Sequence, residues 1–580
     1  MTAPITQAIR TPRSASTTQP VRTLSPMRRR LVIALILIPV FIGALDLTIV
    51  SAILPEVLTR LNIPVDTNLG AAAWAVTGYL LAYTVSMMIM GRVSDLIGRR
   101  SVYLACLVIF IVGSWWVASS SDFPTDFLNS IARQILNQPP QDLNKLTLLS
   151  VIIGRVIQAF GAGAMVPVSM ALVGDLYPPE KRTGPIGVIG AIDTAGWVLG
   201  HLYGGVAVKF FNDNGPALAN ALKPLGLPPP NWHTLFIINV PIGIIAFVLT
   251  LVALRGLPIV RGRGRFDVVG AVLVSAALIG LSLSLGGQTD VSTTTSLRNV
   301  GQPVPFNLAL LLGSVGVFVL FIVWELRIKH PLLELRLFRK RNVSAASMTN
   351  LVVGFCLMLG LVSVPLLVNL RAENASAASI ANAAQDSGIL LSALTIPMAL
   401  IAVPGGALSN RIGYRATVVG GLLLAACGLF FAGLTWSATS APPLMALQMA
   451  IAGLGLGLTI SPVATAVIND AQDDARGVAS ALVIILRLVG MTVAIASLTS
   501  YALARVNQMV AEAQRAFPTN LTAQAAEKLN VDAYFASGIR AINELLLIGA
   551  AACVVALIPA LFLRGSAKYN PDAILGERTR

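Results

Sequence analysis

Gly91-Arg92-Val93-Ser94-Asp95-Leu96-Ile97-Gly98-Arg99-Arg100 fills a short polar gap between two long apolar runs, Ala71 to Met90 and Val102 to Ala118. Two glycines and three arginines in so short a gap predict a tight turn between membrane helices, with the arginines kept on the cytoplasmic side. An echo lies far down the chain, again just after an apolar run: Gly406-Ala407-Leu408-Ser409-Asn410-Arg411-Ile412-Gly413-Tyr414-Arg415. Aligned without gaps, the two stretches share both glycines, the serine, an isoleucine and the last arginine. One motif at matching places in two halves predicts a membrane protein built by duplication, as many transporters are.

The composition agrees. Of 580 residues, 55% are hydrophobic and only 12% charged, which excludes an ordinary soluble domain. The net charge of +15 could point to nucleic acid. It is instead spread over short segments between apolar runs, with no concentrated patch, so no nucleic-acid partner is expected. The four cysteines (Cys106, Cys356, Cys427 and Cys553) all fall inside apolar runs, and there are three histidines. Neither a disulfide nor a metal site is expected. No phosphate-binding glycine loop and no nucleophile motif occurs, so no enzyme activity, ATP use or cofactor is expected.

Residues 1–30 are rich in Ser, Thr, Pro and Arg and contain no acid, which predicts a disordered basic cytoplasmic tail anchored by Arg28-Arg29-Arg30. The next run, Leu31 to Leu54, is too long for a cleaved signal and carries Asp46, so it reads as a first span. At about 20 apolar residues per crossing, fourteen spans are predicted. Six lie in a bundle over 31–254, two in a linking segment over 255–342, and six in a second bundle over 343–565, with a tail at 566–580. Most of the 41 Lys and Arg fall on one side when both termini are cytoplasmic, which sets the expected orientation. The external segments 120–146, 209–233 and 502–539 are long. The first two hold the breakers Pro139-Pro140 and Pro228-Pro229-Pro230, whereas Tyr501 to Phe517 lacks Gly and Pro. The thirteenth span is therefore expected to continue as one helix beyond the bilayer.

Several stretches in this order resemble the major facilitator superfamily, and within it the fourteen-span drug:proton antiporter branch. Gly91 to Arg100 is similar to the superfamily's loop between spans two and three. Leu45 to Val50 through Pro55 resembles the branch's first-span signature, and Gly154-Arg155-Val156-Ile157-Gln158 with Gly161 and Gly163 resembles its fourth-span motif. The resemblance implies an all-α integral membrane protein of the major facilitator fold, two six-helix bundles plus two extra linking spans. It also implies that Asp95, with Gly91, Gly98, Arg99 and Arg100, latches one conformation, and that Arg155 takes part in proton transfer. The bland alternative for Asp95 and Arg99 is a pair of solvated loop charges. Asn410 replaces the aspartate in the second copy, so any latch there should be weaker.

The charges inside spans carry the rest of the expectation. A lone ionised carboxylate at Asp46 is expensive in the bilayer, so it is suited to binding a proton reversibly, unless it serves only as a fixed structural hydrogen bond. Arg155 keeps its proton and needs an interior partner, for which Asp46 is the candidate. Asp193 and Arg487 are further intramembrane charges whose pairing would tie the two halves together. In the fifth span Gly196, Gly200 and Gly204 recur every four residues, followed by Gly205, which plain close packing explains. They also resemble the family's antiporter motif, except that His201 stands where the resemblance implies proline. Gly453, Gly455, Gly457 and Pro462 mirror Gly161, Gly163 and Pro167 as packing and hinge elements.

These readings lead to a proton-coupled exporter of hydrophobic or amphiphilic compounds in the inner membrane. Export of lipids or glycolipids is the alternative, because the chain also resembles actinobacterial lipid-moving members of this branch in Gly43 to Asp46, Ala73 to Arg100, Arg476 to Met491 and Tyr501 to Gln508. The expected partners are the lipid bilayer, protons, a small hydrophobic or lipid substrate and, for a lipid, an external acceptor. A non-transporting sensor or scaffold on the same fold is the different-class rival, disfavoured by the intramembrane charges.

Overall fold

The computed structural model describes residues 25–63, 74–135, 142–225, 229–256, 265–284, 307–329, 331–333, 335–373, 377–471, 475–518 and 522–565. Both expected tails lie outside them, apart from residues 25–30. Every regular element among these residues is helical, as apolar segments in a bilayer must be when each backbone polar group is satisfied within its own segment.

The first bundle comprises α1 (Pro26–Arg60), α2 (Trp74–Ile97), α3 (Arg99–Ala118), the short α4 (Phe123–Gln134), α5 (Leu143–Gly163), α6 (Met165–Leu176), α7 (Thr183–Asp213), the short α8 (Gly215–Leu222), α9 (Trp232–Ile237) and α10 (Asn239–Ala253). Two linking helices follow, α11 (Val268–Ser284) and α12 (Leu308–Arg327). The second bundle is α13 (Arg341–Glu373), α14 (Ala377–Ile412), α15 (Tyr414–Thr435), α16 (Pro442–Asp470), α17 (Arg476–Arg515) and α18 (Ala523–Leu561). Among the described residues, 12 helices are long and apolar enough to cross a membrane, counting α5 with α6 and α9 with α10 as single crossings. The expected count of fourteen is thus twelve by that measure. The other two places are held by α7 and by the 17-residue α11, which are helical but are not among the twelve.

The duplication is visible in the packing. In the first half α1 packs on α7, α2 on α5 and α3 on α5; in the second, α13 packs on α17, α14 on α16 and α15 on α16. Glycines permit each approach. A Cβ on Gly200 would run into the Leu45 carbonyl and Thr48, one on Gly196 would stand 2.6 Å from the Ala44 Cβ, and Gly457 faces the Met398 backbone. Gly200→Leu is therefore expected to cost about 3 kcal/mol by overpacking. Gly184→Ala, where nothing lies within 4 Å, should leave the melting temperature of the purified protein unchanged.

The end of the molecule that carries Pro26, Gly98, Gly413 and Leu563 is called basal here and the opposite end distal. At the basal end Arg28 donates to the Arg255 carbonyl at 2.7 Å and Arg341 to that of Phe562 at 2.8 Å. The turn expected over Gly91–Arg100 needs correction, because helix α2 runs through Ile97 and the turn is Gly98 alone, at φ 103°. Gly413 does the same at φ 91° between α14 and α15. Both positions sit in the left-handed region that favours glycine, which explains why this residue recurs in the repeat.

The distal end departs from expectation in one place. As expected, α17 continues as a single 40-residue helix to Arg515. The rest of the segment expected as an external loop is helical too, since the 39-residue α18 begins at Ala523. The two run antiparallel as a hairpin whose distal part is tied together by side chains from Tyr501 onward. Arg505 grips Glu544 through Nε at 2.9 Å and a second nitrogen at 3.0 Å, and Tyr501 donates to Glu544 at 2.8 Å. Val506, Val510 and Ala541 form a small core between the helices. The expected long segments 120–146 and 209–233 contain the short helices α4 and α8. Pro139, Pro140 and Pro228 lie outside the described residues.

Candidate functional site: a line of buried charges

Asp46 on α1 and Arg155 on α5 are both fully buried. Arg155 reaches the Asp46 carboxylate at 2.9 Å and, with its other terminal nitrogen, the Asp46 backbone carbonyl at 2.9 Å. Asn239, the first residue of α10, donates to the second carboxylate oxygen at 3.0 Å. Arg155 also donates to Gln158 at 2.7 Å, and Gln158 in turn to Ser114 on α3 at 2.8 Å. The ring of Tyr79 lies 3.9 Å from the guanidinium carbon. Burying two charges costs several kcal/mol per ion, and only such complete pairing offsets it. Arginine holds its proton throughout, so Asp46 is the member that can change charge state. Sequence reading missed Asn239 and Ser114 here; a lone amide between Ile238 and Val240 in an apolar run was the available signal.

Asp193 on α7 and Arg487 on α17 form a second buried ion pair, at 3.1 Å, which joins the two halves. A third cluster closes the basal end. Asp95 accepts from the backbone N–H groups of Gly477 at 2.9 Å and Val478 at 3.1 Å, the first turn of α17. A carboxylate at a helix N-terminus satisfies two otherwise free donors and opposes the helix dipole. Arg99 bonds Asp95 at 3.0 Å and Asp175 at 2.8 Å, and Asp175 also meets Arg476 at 3.1 Å. The surroundings of Gly91 are equally tight, since a Cβ there would stand 2.9 Å from the Gly477 carbonyl. Gly98 supplies the turn, and Arg100 is half-buried outside this cluster.

The second copy of the motif is a neutral version of the first. Ser409 bonds the Gly406 carbonyl at 2.8 Å as Ser94 bonds that of Gly91 at 2.7 Å. Asn410, at the place of Asp95, accepts from the Thr183 hydroxyl at 2.8 Å at the start of α7. Each motif thus meets the first turn of a helix from the opposite half, one with a charge and one without.

Of the glycine row on α7, Gly196 and Gly200 face α1 and Gly204 is buried. The side chain of His201 and the surroundings of Gly205 lie outside the described residues. Gly161 and Gly163 press against α3 and against the Tyr83 carbonyl of α2, and the helix breaks just after them, at Ala164 between α5 and α6. No group of three or more His, Cys, Asp or Glu able to hold a metal occurs among the described residues.

The sequence model of the Major Facilitator Superfamily matches residues 36–495. A triacylglyceride transporter of Mycolicibacterium smegmatis is 30% identical over 92% of this chain and 87% of its own length. The triacylglyceride transporter of Mycobacterium tuberculosis strain H37Rv is 30% identical over 95% of this chain and 97% of its own. Among solved structures, the proton:xylose symporter XylE shares the fold with a TM-score of 0.53 at 16% identity, over 92% of this chain and 95% of that one. The human organic anion transporter MFSD10 does so with 0.54 at 15% identity, over 92% and 99%. The protein is a multi-pass membrane transporter and not an enzyme. Twin bundles, the repeated basal motif and these matches agree: the chain belongs to the Major Facilitator Superfamily.

Proposed function

We propose that this chain exports strongly apolar lipids of the acylglycerol class across the inner membrane by alternating access, driven by protons that enter through Asp46. Lipid export, the alternative at the level of sequence, is now the better supported reading. The relatives named triacylglyceride transporters align over nearly the whole chain. Drug efflux has only the branch motifs behind it.

The observation that carries the reading is the distal hairpin. A compound that partitions freely into water needs no path beyond the membrane, whereas a triacylglycerol does, because each buried CH2 costs about 0.8 kcal/mol to expose. A two-helix arm from Tyr501 to Arg515 and back, with an apolar seam, suits delivery of such a molecule to an external acceptor. On this reading both termini and the Gly98 and Gly413 turns are cytoplasmic, α7 and α11 complete fourteen spans, and α11 with α12 link bundles 31–254 and 343–565. Asp95 is then the cytoplasmic latch, and Asp46, Arg155, Asp193 and Arg487 handle the proton. The Asp193–Arg487 bond would couple proton binding to closure of the gate between the halves.

Proteoliposomes with an imposed pH gradient, offered labelled triacylglycerol and a cationic dye together, test the proposal. Lipid transfer to acceptor vesicles should exceed that of empty liposomes about tenfold, with dye unmoved, as expected of a site built for one chemistry. Dye transport without lipid transfer would return the drug-efflux reading. Deleting residues 506–534 should lower lipid transfer about tenfold while the bundles stay folded, since the arm makes its own small core. Undiminished transfer would remove the delivery argument.

A further inference from the structure

Helix α2 carries Tyr79, Tyr83, Met87, Gly91 and Asp95 at a spacing of four. Successive members sit one turn apart, and the row covers about 24 Å of helix axis at 1.5 Å per residue. Its lower end is engaged in the gate, with Gly91 and Asp95 against the first turn of α17. Its upper end is engaged in the Asp46 site, where the Tyr79 ring lies under Arg155 and its hydroxyl donates to the Gly43 carbonyl of α1 at 3.1 Å. The rings of Tyr79 and Tyr83 stack, with centroids 6.0 Å apart and planes 21° off parallel. Both residues are essentially without exposure, at 0% and 1%. Tyr83 lies within electrostatic range of Asp193 and Arg487, as Tyr79 does of Asp46 and Arg155. Helix α2 also packs on α17, the helix that carries Arg487, so the stacked rings lead from the Asp46–Arg155 pair toward the cross-half pair.

We infer that the Tyr79–Tyr83 stack is a positioning element that transmits the charge state of the Asp46–Arg155 pair to the cross-half Asp193–Arg487 pair. The inference rests on the proton-coupled reading proposed above. While Asp46 is ionised, the Arg155 guanidinium is shared between the carboxylate and the face of Tyr79. A proton arriving on Asp46 removes the anion, and the negative face of the ring takes a larger share in compensating the cation, beside Gln158 and the Asp46 backbone carbonyl. Tyr79 is drawn toward Arg155, and Tyr83, held by the offset stack, shifts beside Asp193 and Arg487. Because α2 is one unbroken helix from Trp74 to Ile97, the same displacement reaches Gly91 and Asp95 at the gate. A single helix thus connects proton site, cross-half ion pair and latch.

The test needs no substrate. Spin labels at Ile97→Cys and Ile412→Cys, exposed residues at the basal ends of opposite halves (51% and 53%), report the gate as a distance distribution in the full chain carrying Cys427→Ser. Asp46→Asn stands in for protonated Asp46. With native tyrosines it should change the ratio of open to closed gate about tenfold, a usual size for coupling between sites. In Tyr79→Leu that response should fall below about twofold, while Asp193→Asn still opens the gate, and Tyr79→Phe, which keeps the ring, should restore it. Tyr83→Leu leaves Arg155 its ring and should lose the response equally, which covers failure of Tyr79→Leu to fold. A full Asp46→Asn response in both leucine variants overturns the inference. No response with native tyrosines would instead mean that the proton-coupled reading itself has failed.

Discussion

Arg155→Ala is expected to lower the stability of the purified protein by about 3–5 kcal/mol, the usual cost of leaving one partner of a buried pair uncompensated. The guanidinium makes at once the ion pair to Asp46, the bond to the Asp46 carbonyl, the bond to Gln158 and the contact with Tyr79. Removing it leaves the carboxylate with neutral partners alone, Asn239 and Gln158. Asp46→Asn combined with Arg155→Gln removes both charges and keeps polar groups in place, so it should recover most of the loss. Thermal unfolding in one detergent, with the single and double variants side by side, measures both effects. A single variant that melts with the parent chain would show that Asp46 and Arg155 do not face each other as described.

Asp95→Ala is the second large effect, expected on the gate more than on the fold. The carboxylate holds two backbone N–H groups at the start of α17 together with Arg99. Hydrogen bonds to a charged group contribute about 1.5–3 kcal/mol each. Losing two should shift the closed gate toward open by about a hundredfold or more, at 1.4 kcal/mol per factor of ten. Asp95→Asn should fall between, because Asn410 already holds the corresponding contact on α7 without a charge. The same Ile97 and Ile412 spin labels measure it, and an unchanged distance in Asp95→Ala would show that the cluster is not a latch.

Much of this was legible in the sequence because membranes make polar residues conspicuous. Asp46, Arg155, Asp193 and Arg487 stood out as charges in apolar runs, and the structure pairs all four. The repeat at Gly91 and Gly406 was readable because only glycine suits the φ of the Gly98 and Gly413 turns. What misled was polarity taken for irregular backbone. Residues 91–97 looked like a turn, but a helix end that meets another helix can be polar and still be helix. Residues 523–540 looked like a loop for the same reason, since Lys528, Asp532 and Arg540 interrupt the apolar pattern of a helix that packs on only one side. The Asn239 bond and the place of the Tyr79 ring against Arg155 depend on which faces meet, which one-dimensional spacing does not carry.

The central claim is that protons entering through Asp46 drive lipid outward. The most direct measurement is release of labelled triacylglycerol from proteoliposomes to acceptor vesicles, with the pH gradient imposed, collapsed and reversed, for the parent chain and for Asp46→Asn. The account predicts transfer that follows the gradient and vanishes on its collapse in the parent chain, and an Asp46→Asn variant reduced at least about tenfold and indifferent to the gradient, as for loss of a single proton-transfer group. Equal, gradient-driven lipid transfer by both proteins would contradict it.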